Sequence, residues 1–275
     1  IITGTYPHQT DAEQLHWPLP ADRLTFVELL KASGYWTAAA GKWHLGNAVK
    51  DRFDEVREAD VSGFQLPTGE AAKAGKIVQK AVGDARSGCD QWVPLLKARP
   101  TDKPFFLFSS FWKPHSPFEV PVPFDSMYDD VTIPLPEEQT LKKIRRLPLP
   151  LRVLILRGQP VYDIDRTRLQ WMLRSYYGSI SHVDREVGLI LKTLQETGQA
   201  DNTIVVFSSD HGDQLLEHGL TGKNCFFESS VRVPFMLRFP GRVSPRQYDH
   251  LIESVDLLPT LFELTGLPEP YNNQG

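Results

Sequence analysis

Asp210 and His211 are adjacent and directly follow a continuous apolar run. A carboxylate and an imidazole in neighbouring positions can both ligate a divalent cation once the strand carrying them has ended. Taken alone, the pair favours a plainer reading, with Asp210 capping a following helix and His211 a satisfied loop residue. Lys223 shifts that balance. It follows His211 by twelve residues, in a loop with Gly219 and Gly222. An ammonium there can hold an anion near the metal, although simple exposure is the rule for lysines. Gly41-Lys42-Trp43-His44-Leu45-Gly46 offers a second cation and a titratable imidazole two residues apart. Bracketing glycines suit a turn that brings backbone close to a ligand; the alternative is a surface turn with a packed Trp43. His115 sits among Pro114, Pro117 and Pro121, which stiffen its loop. Three histidines and two lysines share one chemistry. On strand-end loops of one sheet they would bind a tetrahedral oxyanion, with metal and lysines supplying charge and histidines moving protons.

The elements that must position these residues follow from periodicity. A helix is predicted over 22–33, with Leu24, Val27, Leu29 and Leu30 as its stripe and Gly34 as its stop. A strand over 35–40 leads into Lys42. Residues 47–75 read as polar and irregular, with helices over 71–85 and near 90–97. The apolar run Phe105 to Phe108 makes 103–111 a buried strand, ending at His115. Residues 120–162 are rich in proline and lack a period, which reads as a long, lid-like surface excursion. The strongest helix spans 165–198. Leu169, Leu173, Tyr176, Ile180, Val183, Val187, Ile190, Leu191 and Leu194 recur at helical spacing, and a bend or break is expected near Gly178. Strands are predicted over 202–209 and 233–239. A last helix spans 254–265, with Pro259 early and Gly266 as its stop. Alternating strands and helices indicate an α/β fold, a mostly parallel central sheet with helices on both faces. Such sheets bind ligands beyond the carboxyl ends of their strands, where Lys42, His44, His115, Asp210 and His211 fall.

Composition excludes several classes. The 275 residues suffice for one large domain or two small ones. Hydrophobic residues make up 41% and the net charge is -4, without the clustered basic face of a nucleic-acid binder. The group Lys142, Lys143, Arg145 and Arg146 reads as a solvated loop or helix end. Cys89 and Cys225 lack metal-type spacing, and a disulfide between them stays open. No run reaches the roughly 18 apolar residues of a membrane span. Residue 1 is Ile rather than Met, so a segment before it, with any targeting signal, is expected.

The stretch Gly34-Tyr35-Trp36-Thr37-Ala38-Ala39-Ala40-Gly41-Lys42-Trp43-His44-Leu45-Gly46 resembles the second signature of the type I sulfatases, in the alkaline phosphatase superfamily. Residues 201–213, ending in Ser209-Asp210-His211-Gly212-Asp213, resemble the family's metal-binding strand end. Glu217-His218-Gly219, Lys223, Phe227-Glu228, Arg232-Val233-Pro234, Pro240-Gly241, Pro114-His115-Ser116-Pro117 and residues 255–261 continue the likeness. The resemblance implies that Asp210 and His211 are metal ligands. It also implies that Lys42 and Lys223 bind sulfate, that His44 acts on a formylglycine hydroxyl, and that His115 lies by the ester oxygen. The implied metal is a divalent cation, usually Ca²⁺, with Mn²⁺ or Zn²⁺ left open by the His ligand. The implied substrate is a small-molecule or saccharide sulfate ester, with a periplasmic, secreted or lysosomal-type location favoured. The family's two N-terminal Asp ligands and its Cys/Ser-x-Pro-Ser-Arg motif are not among these residues. Thr3-Gly4 resembles the piece that trails that motif. Residues 1–275 are therefore expected to be a partial catalytic domain, cut at both ends, lacking its nucleophile and the smaller C-terminal subdomain, and inactive alone.

Three other readings compete. A phosphonate monoester or phosphodiester hydrolase of the same superfamily keeps the fold and changes the ester. A non-catalytic binder of sulfated ligands keeps the lysines without the chemistry. A serine hydrolase pairing Ser209 with His211 fails, because strand-end neighbours rarely face each other and no Gly-x-Ser-x-Gly turn is present.

Overall fold

The computed structural model describes residues 1–13, 17–43, 46–58, 89–116, 118, 120–137, 141–157, 165–268 and 273–275. The helix expected over 71–85 lies outside them. At the centre of a parallel three-stranded sheet is β1 (Trp36–Gly41), flanked by β2 (Glu55–Glu58) and β3 (Phe105–Ser110). β2 falls in the stretch expected to be irregular. Its charged sequence, Glu55-Val56-Arg57-Glu58, hides a strand that sits at the sheet's edge.

Successive strand side chains point to opposite faces, and β1 uses this to bury both. Ala39 packs with Val27 and Phe53 on one side. There the helix α1 (Phe26–Ala32) supplies Phe26 and Leu30, which meet Leu258 and Phe262 near the C-terminus. Ala38 and Ala40 face the other way, onto Trp92 and Leu95 of α2 (Cys89–Ala98). Helices thus cover both faces of this sheet, as the alternation predicts. Helix α1 starts four residues later than predicted. Thr25 is its cap, its backbone N–H donating to Glu28 Oε2 at 2.9 Å, while Leu24 stays outside and half exposed.

The chain divides into two units. The first comprises Ile1–Trp112, Val183–Gly198 and Pro245–Gly275; the second comprises Lys113–His182 and Gln199–Ser244. In the second unit, two apolar clusters anchor the stretch expected to be a surface excursion. Ile133 packs with Leu169, Leu173 and Leu216, and Ile144 and Ile155 pack with Leu220. Helix α3 (Leu149–Arg157) lies in this stretch. Its sequence is apolar at most positions, so no helical period shows.

Helix α4 (Arg166–Glu196) runs unbroken for 31 residues, about 46 Å at 1.5 Å per residue. The expected break at Gly178 does not occur. Gly178 is there for space: a Cβ on it would lie 2.2 Å from the Phe124 carbonyl oxygen. Ile180, assigned to the buried stripe, is instead exposed, and small Ser175 and Ser179 occupy the buried face beside Gly178. Strand β4 (Val205–Ser208) pairs with β5 (Phe235–Arg238) in antiparallel fashion. The last helix, α5 (Leu257–Thr265), ends at left-handed Gly266. Cys225 is a free thiol. Among the described residues no helix is long and apolar enough to cross a membrane.

Two glycines on α4 should respond oppositely to the same substitution. Gly178→Ala forces a backbone overlap and should cost about 1–3 kcal/mol. Gly188, exposed with nothing within 4 Å of a built Cβ, should gain roughly 0.5–1 kcal/mol as Ala. Denaturant midpoints at both sites test this, and equal shifts would contradict the packing described.

Candidate functional site

Beyond β4 the chain leaves the sheet through Ser209, Asp210 and His211. Ser209 Oγ donates to the His211 carbonyl at 2.8 Å, and the His211 N–H donates to Asp210 Oδ1 at 3.1 Å. These local bonds fix two side chains that could otherwise rotate freely. His211 Nδ1 lies 2.7 Å from the Gly212 carbonyl oxygen. A carbonyl only accepts, so Nδ1 carries the proton and Nε2 the lone pair. Lys223 Nζ donates to that Nε2 at 2.5 Å, and Asp210 Oδ2 stands 3.4 Å from it. The structure therefore brings Asp210, His211 and Lys223 into one cluster.

The intervening loop explains why a lysine twelve residues away returns to His211. Gly212 donates its N–H to the Ser230 carbonyl at 2.8 Å, and a Cβ there would lie 2.0 Å from the Ser229 carbonyl oxygen. Asp213 Oδ1 accepts from Leu215 N and from Gly222 N, each at 3.1 Å. Backbone bonds from Gln214 N to Gly222 O and from Leu216 N to Leu220 O, both 2.8 Å, finish the closure. Left-handed backbone at Leu215, Leu216 and His218 makes the return tight. Past the loop, the Phe227 ring stacks on His218 at 3.9 Å. Tyr176 lies within the field of Asp213. Burial first, then Asp213 and Tyr177, push its phenol up to about 12, so it remains a neutral hydroxyl at working pH.

Lys42 lies in the first unit. Its backbone N–H donates to the Ser110 carbonyl at 2.9 Å, continuing the β1–β3 ladder by one bond. Gly41 makes this approach feasible: φ is +103°, and a Cβ would lie 1.9 Å from Ser110 O. The Lys42 ammonium rests over the Trp112 ring, 4.6 Å from its centroid. Trp43 donates from Nε1 to the Gly46 carbonyl at 2.8 Å and packs edge-on against Phe53 and Phe108. His44 lies outside the described residues. His115 belongs to the second unit, where its Nδ1 donates to the Ser116 carbonyl at 2.5 Å. Its proton is thereby placed on Nδ1 as well.

A divalent cation fixes the spacing of its ligands. Ligands bound at 2.3–2.6 Å and at right angles stand about 3.3–3.7 Å apart. The 3.4 Å between Asp210 Oδ2 and His211 Nε2 falls in that range. The pair fits one edge of a coordination shell that takes roughly six to eight ligands for Ca²⁺. Among the described residues no group of three or more His, Cys, Asp or Glu is assembled for a metal. Sequence reasoning found the three clustered residues but missed Asp213 and Trp112. Asp213 stands in the metal-binding stretch, yet no spacing rule announces a carboxylate that accepts from an amide nine residues on. Trp112 is the last residue before the proline-bearing loop and reads as a strand-end aromatic.

Parallel strands sandwiched by helices define an α/β protein. The chain belongs to the sulfatase family, whose model matches residues 1–267. It is 33% identical over 197 residues to an arylsulfatase of Clostridium perfringens (strain 13 / Type A), covering 66% of this chain and 38% of that protein. Among solved structures, the fold matches phosphonate monoester hydrolase SpPMH from Silicibacter pomeroyi with a TM-score of 0.76. That match has 22% identity and covers 100% of this chain and 64% of the other. It also matches BT4656 in complex with its substrate D-glucosamine-2-N,6-O-disulfate with a TM-score of 0.73. There identity is 20%, and 100% of this chain and 67% of the other are covered. The match therefore covers well under half of the arylsulfatase. Sulfatases of this family generally use a divalent metal.

Asp213→Ala should leave the Leu215 and Gly222 amides without their acceptor. A loss of about 1–3 kcal/mol is expected, with faster hydrogen exchange at Gly222. Unchanged exchange there would show that Asp213 does not hold the loop closed.

Proposed function

We propose that the intact protein hydrolyses an organic sulfate ester, with residues 1–275 forming part of its catalytic domain. The observation that carries this reading is the cluster of Asp210, His211 and Lys223 beyond β4, in a chain of the sulfatase family. A sulfate ester needs charge on its non-bridging oxygens and a proton for its leaving oxygen. Lys223 and Lys42 supply the charge. His115, as an imidazolium whose Nδ1 proton stays on the Ser116 carbonyl, gives its Nε2 proton to the departing alcohol oxygen. His44 takes the proton from the formylglycine hydroxyl, so that sulfate is expelled in the second half-reaction. That nucleophile is assigned on the family resemblance, because no Cys/Ser-x-Pro-Ser-Arg motif occurs in these residues.

Asp210 and His211 would hold the divalent cation, proposed to be Ca²⁺, which adds charge for the bound anion. The His211 tautomer suits this role, since the lone pair is on Nε2 and Nδ1 is tied to Gly212. In the substrate, either a small-molecule or a saccharide sulfate meets the same demands. The aryl sulfate hydrolase among the relatives and the disulfated glucosamine bound by BT4656 support the two options.

In the intact protein, Lys223→Ala should lower kcat/KM for an aryl sulfate by about 10²-fold or more, the usual loss for one oxyanion contact. Near-normal turnover would remove Lys223 from the site. Asp210→Ala should abolish metal retention measured by elemental analysis, and full occupancy would sink the ligand assignment. Parallel assays with a phosphonate monoester separate the reactions, since faster phosphonate cleavage would overturn the sulfatase reading.

A further inference from the structure

We propose that Trp112 is a positioning residue that holds the Lys42 ammonium in place for the substrate's anionic group. This rests on the assignment of Lys42 to sulfate binding. The contact follows from the sheet itself. In the parallel register, Gly41 stands opposite Ser110, and the next residues on the two strands are Lys42 and Phe111, followed by Trp112. Adjacent strands lie about 4.8 Å apart, which lets side chains leaving the two strand ends reach one another. The backbone on both sides is fixed. Lys42 N–H is bonded to Ser110 O, and Gly41 admits that carbonyl at a distance that leaves no room for a Cβ. On the β3 side, the Phe111 ring packs against buried Trp92 with centroids 4.2 Å apart. Trp112 is therefore carried by an anchored strand end.

A lysine on its own is a poor fixed charge. Its four-carbon stem carries about 2 kcal/mol of rotamer entropy, and much of that must be lost each time it meets an anion. The indole face at 4.6 Å lies inside the roughly 6 Å reach of a cation–π contact. It attracts the ammonium by its ring quadrupole and has no lone pair that would compete with sulfate for an N–H. One side of the ammonium rests on the ring. A carboxylate in the same place would fix the lysine as well, but would cancel the charge the anion needs. An aromatic ring holds an ammonium without itself carrying a charge that would neutralise it.

The test is a double-mutant cycle in the intact protein, using 4-nitrophenyl sulfate, with inorganic sulfate as inhibitor. Trp112→Phe keeps a ring face and should stay within about threefold of wild type. Trp112→Leu should lower kcat/KM about 3- to 30-fold and raise the inhibition constant for sulfate in parallel. Trp112→Met provides a second non-aromatic variant should the leucine variant fold poorly. In a Lys42→Met background, removing the ring should cost nothing further. An equal loss from Trp112→Leu in both backgrounds would assign Trp112 to packing and overturn the inference alone. So would wild-type sulfate inhibition in both non-aromatic variants. A Lys42→Met enzyme with wild-type turnover removes the role of Lys42 and the inference with it.

Discussion

The cluster beyond β4 depends on one carboxylate. Asp213 Oδ1 accepts two amides, one two residues on and one nine residues on, and so closes the loop that carries Lys223. Without those two bonds the loop would be closed only by the backbone pairs Gln214–Gly222 and Leu216–Leu220. With them, Lys223 Nζ reaches His211 Nε2 and joins Asp210 and His211 as one group of charges and donors. The loop accepts left-handed backbone at Leu215, Leu216 and His218, each sparsely populated for residues with a Cβ. Leu216 and Leu220 offset that cost by burial in the two apolar clusters of the second unit.

A related constraint acts in each unit. Gly41 precedes Lys42 and Gly212 follows His211, and at both a Cβ would lie within about 2 Å of a carbonyl oxygen, Ser110 O or Ser229 O. Each glycine lets a strand end pack directly on neighbouring backbone. The side chain next to it is thereby held by main-chain hydrogen bonds. This is an efficient way to give a long, flexible or titratable side chain a fixed starting point. It also explains why Lys42, Asp210 and His211 sit one to three positions past the strands: within β1, Ala38, Ala39 and Ala40 are committed to packing helices.

Much of this was legible in the sequence. Continuous apolar runs marked β1, β3 and β4, and they located Lys42, Asp210 and His211 just beyond strand ends. Glycine, histidine and lysine spacing marked the candidate residues, and the structure brings Asp210, His211 and Lys223 together. What stayed hidden was tertiary. Glu55-Val56-Arg57-Glu58 forms an edge strand only because β1 offers it a partner. Gly178 looked like a helix break because glycine disfavours helix, but the Phe124 carbonyl requires it. Ile133, Ile144 and Ile155 sit between prolines without a period, so their burial becomes apparent only in the folded second unit. The partners of the site residues, Asp213 and Trp112, make their contacts through loop closure and strand register, and neither leaves a mark in residue spacing.

Asp210, His211 and Lys223 are proposed to receive a divalent cation and a tetrahedral oxyanion together. The most direct measurement is a crystal structure of the intact protein with Ca²⁺ and selenate, located by anomalous scattering. The account predicts a cation bound by Asp210 and His211, and a selenate oxygen within about 3 Å of Lys223 Nζ, a normal charge-assisted hydrogen bond. A structure with both ions bound elsewhere, and Lys223 Nζ still donating to His211 Nε2, would contradict it.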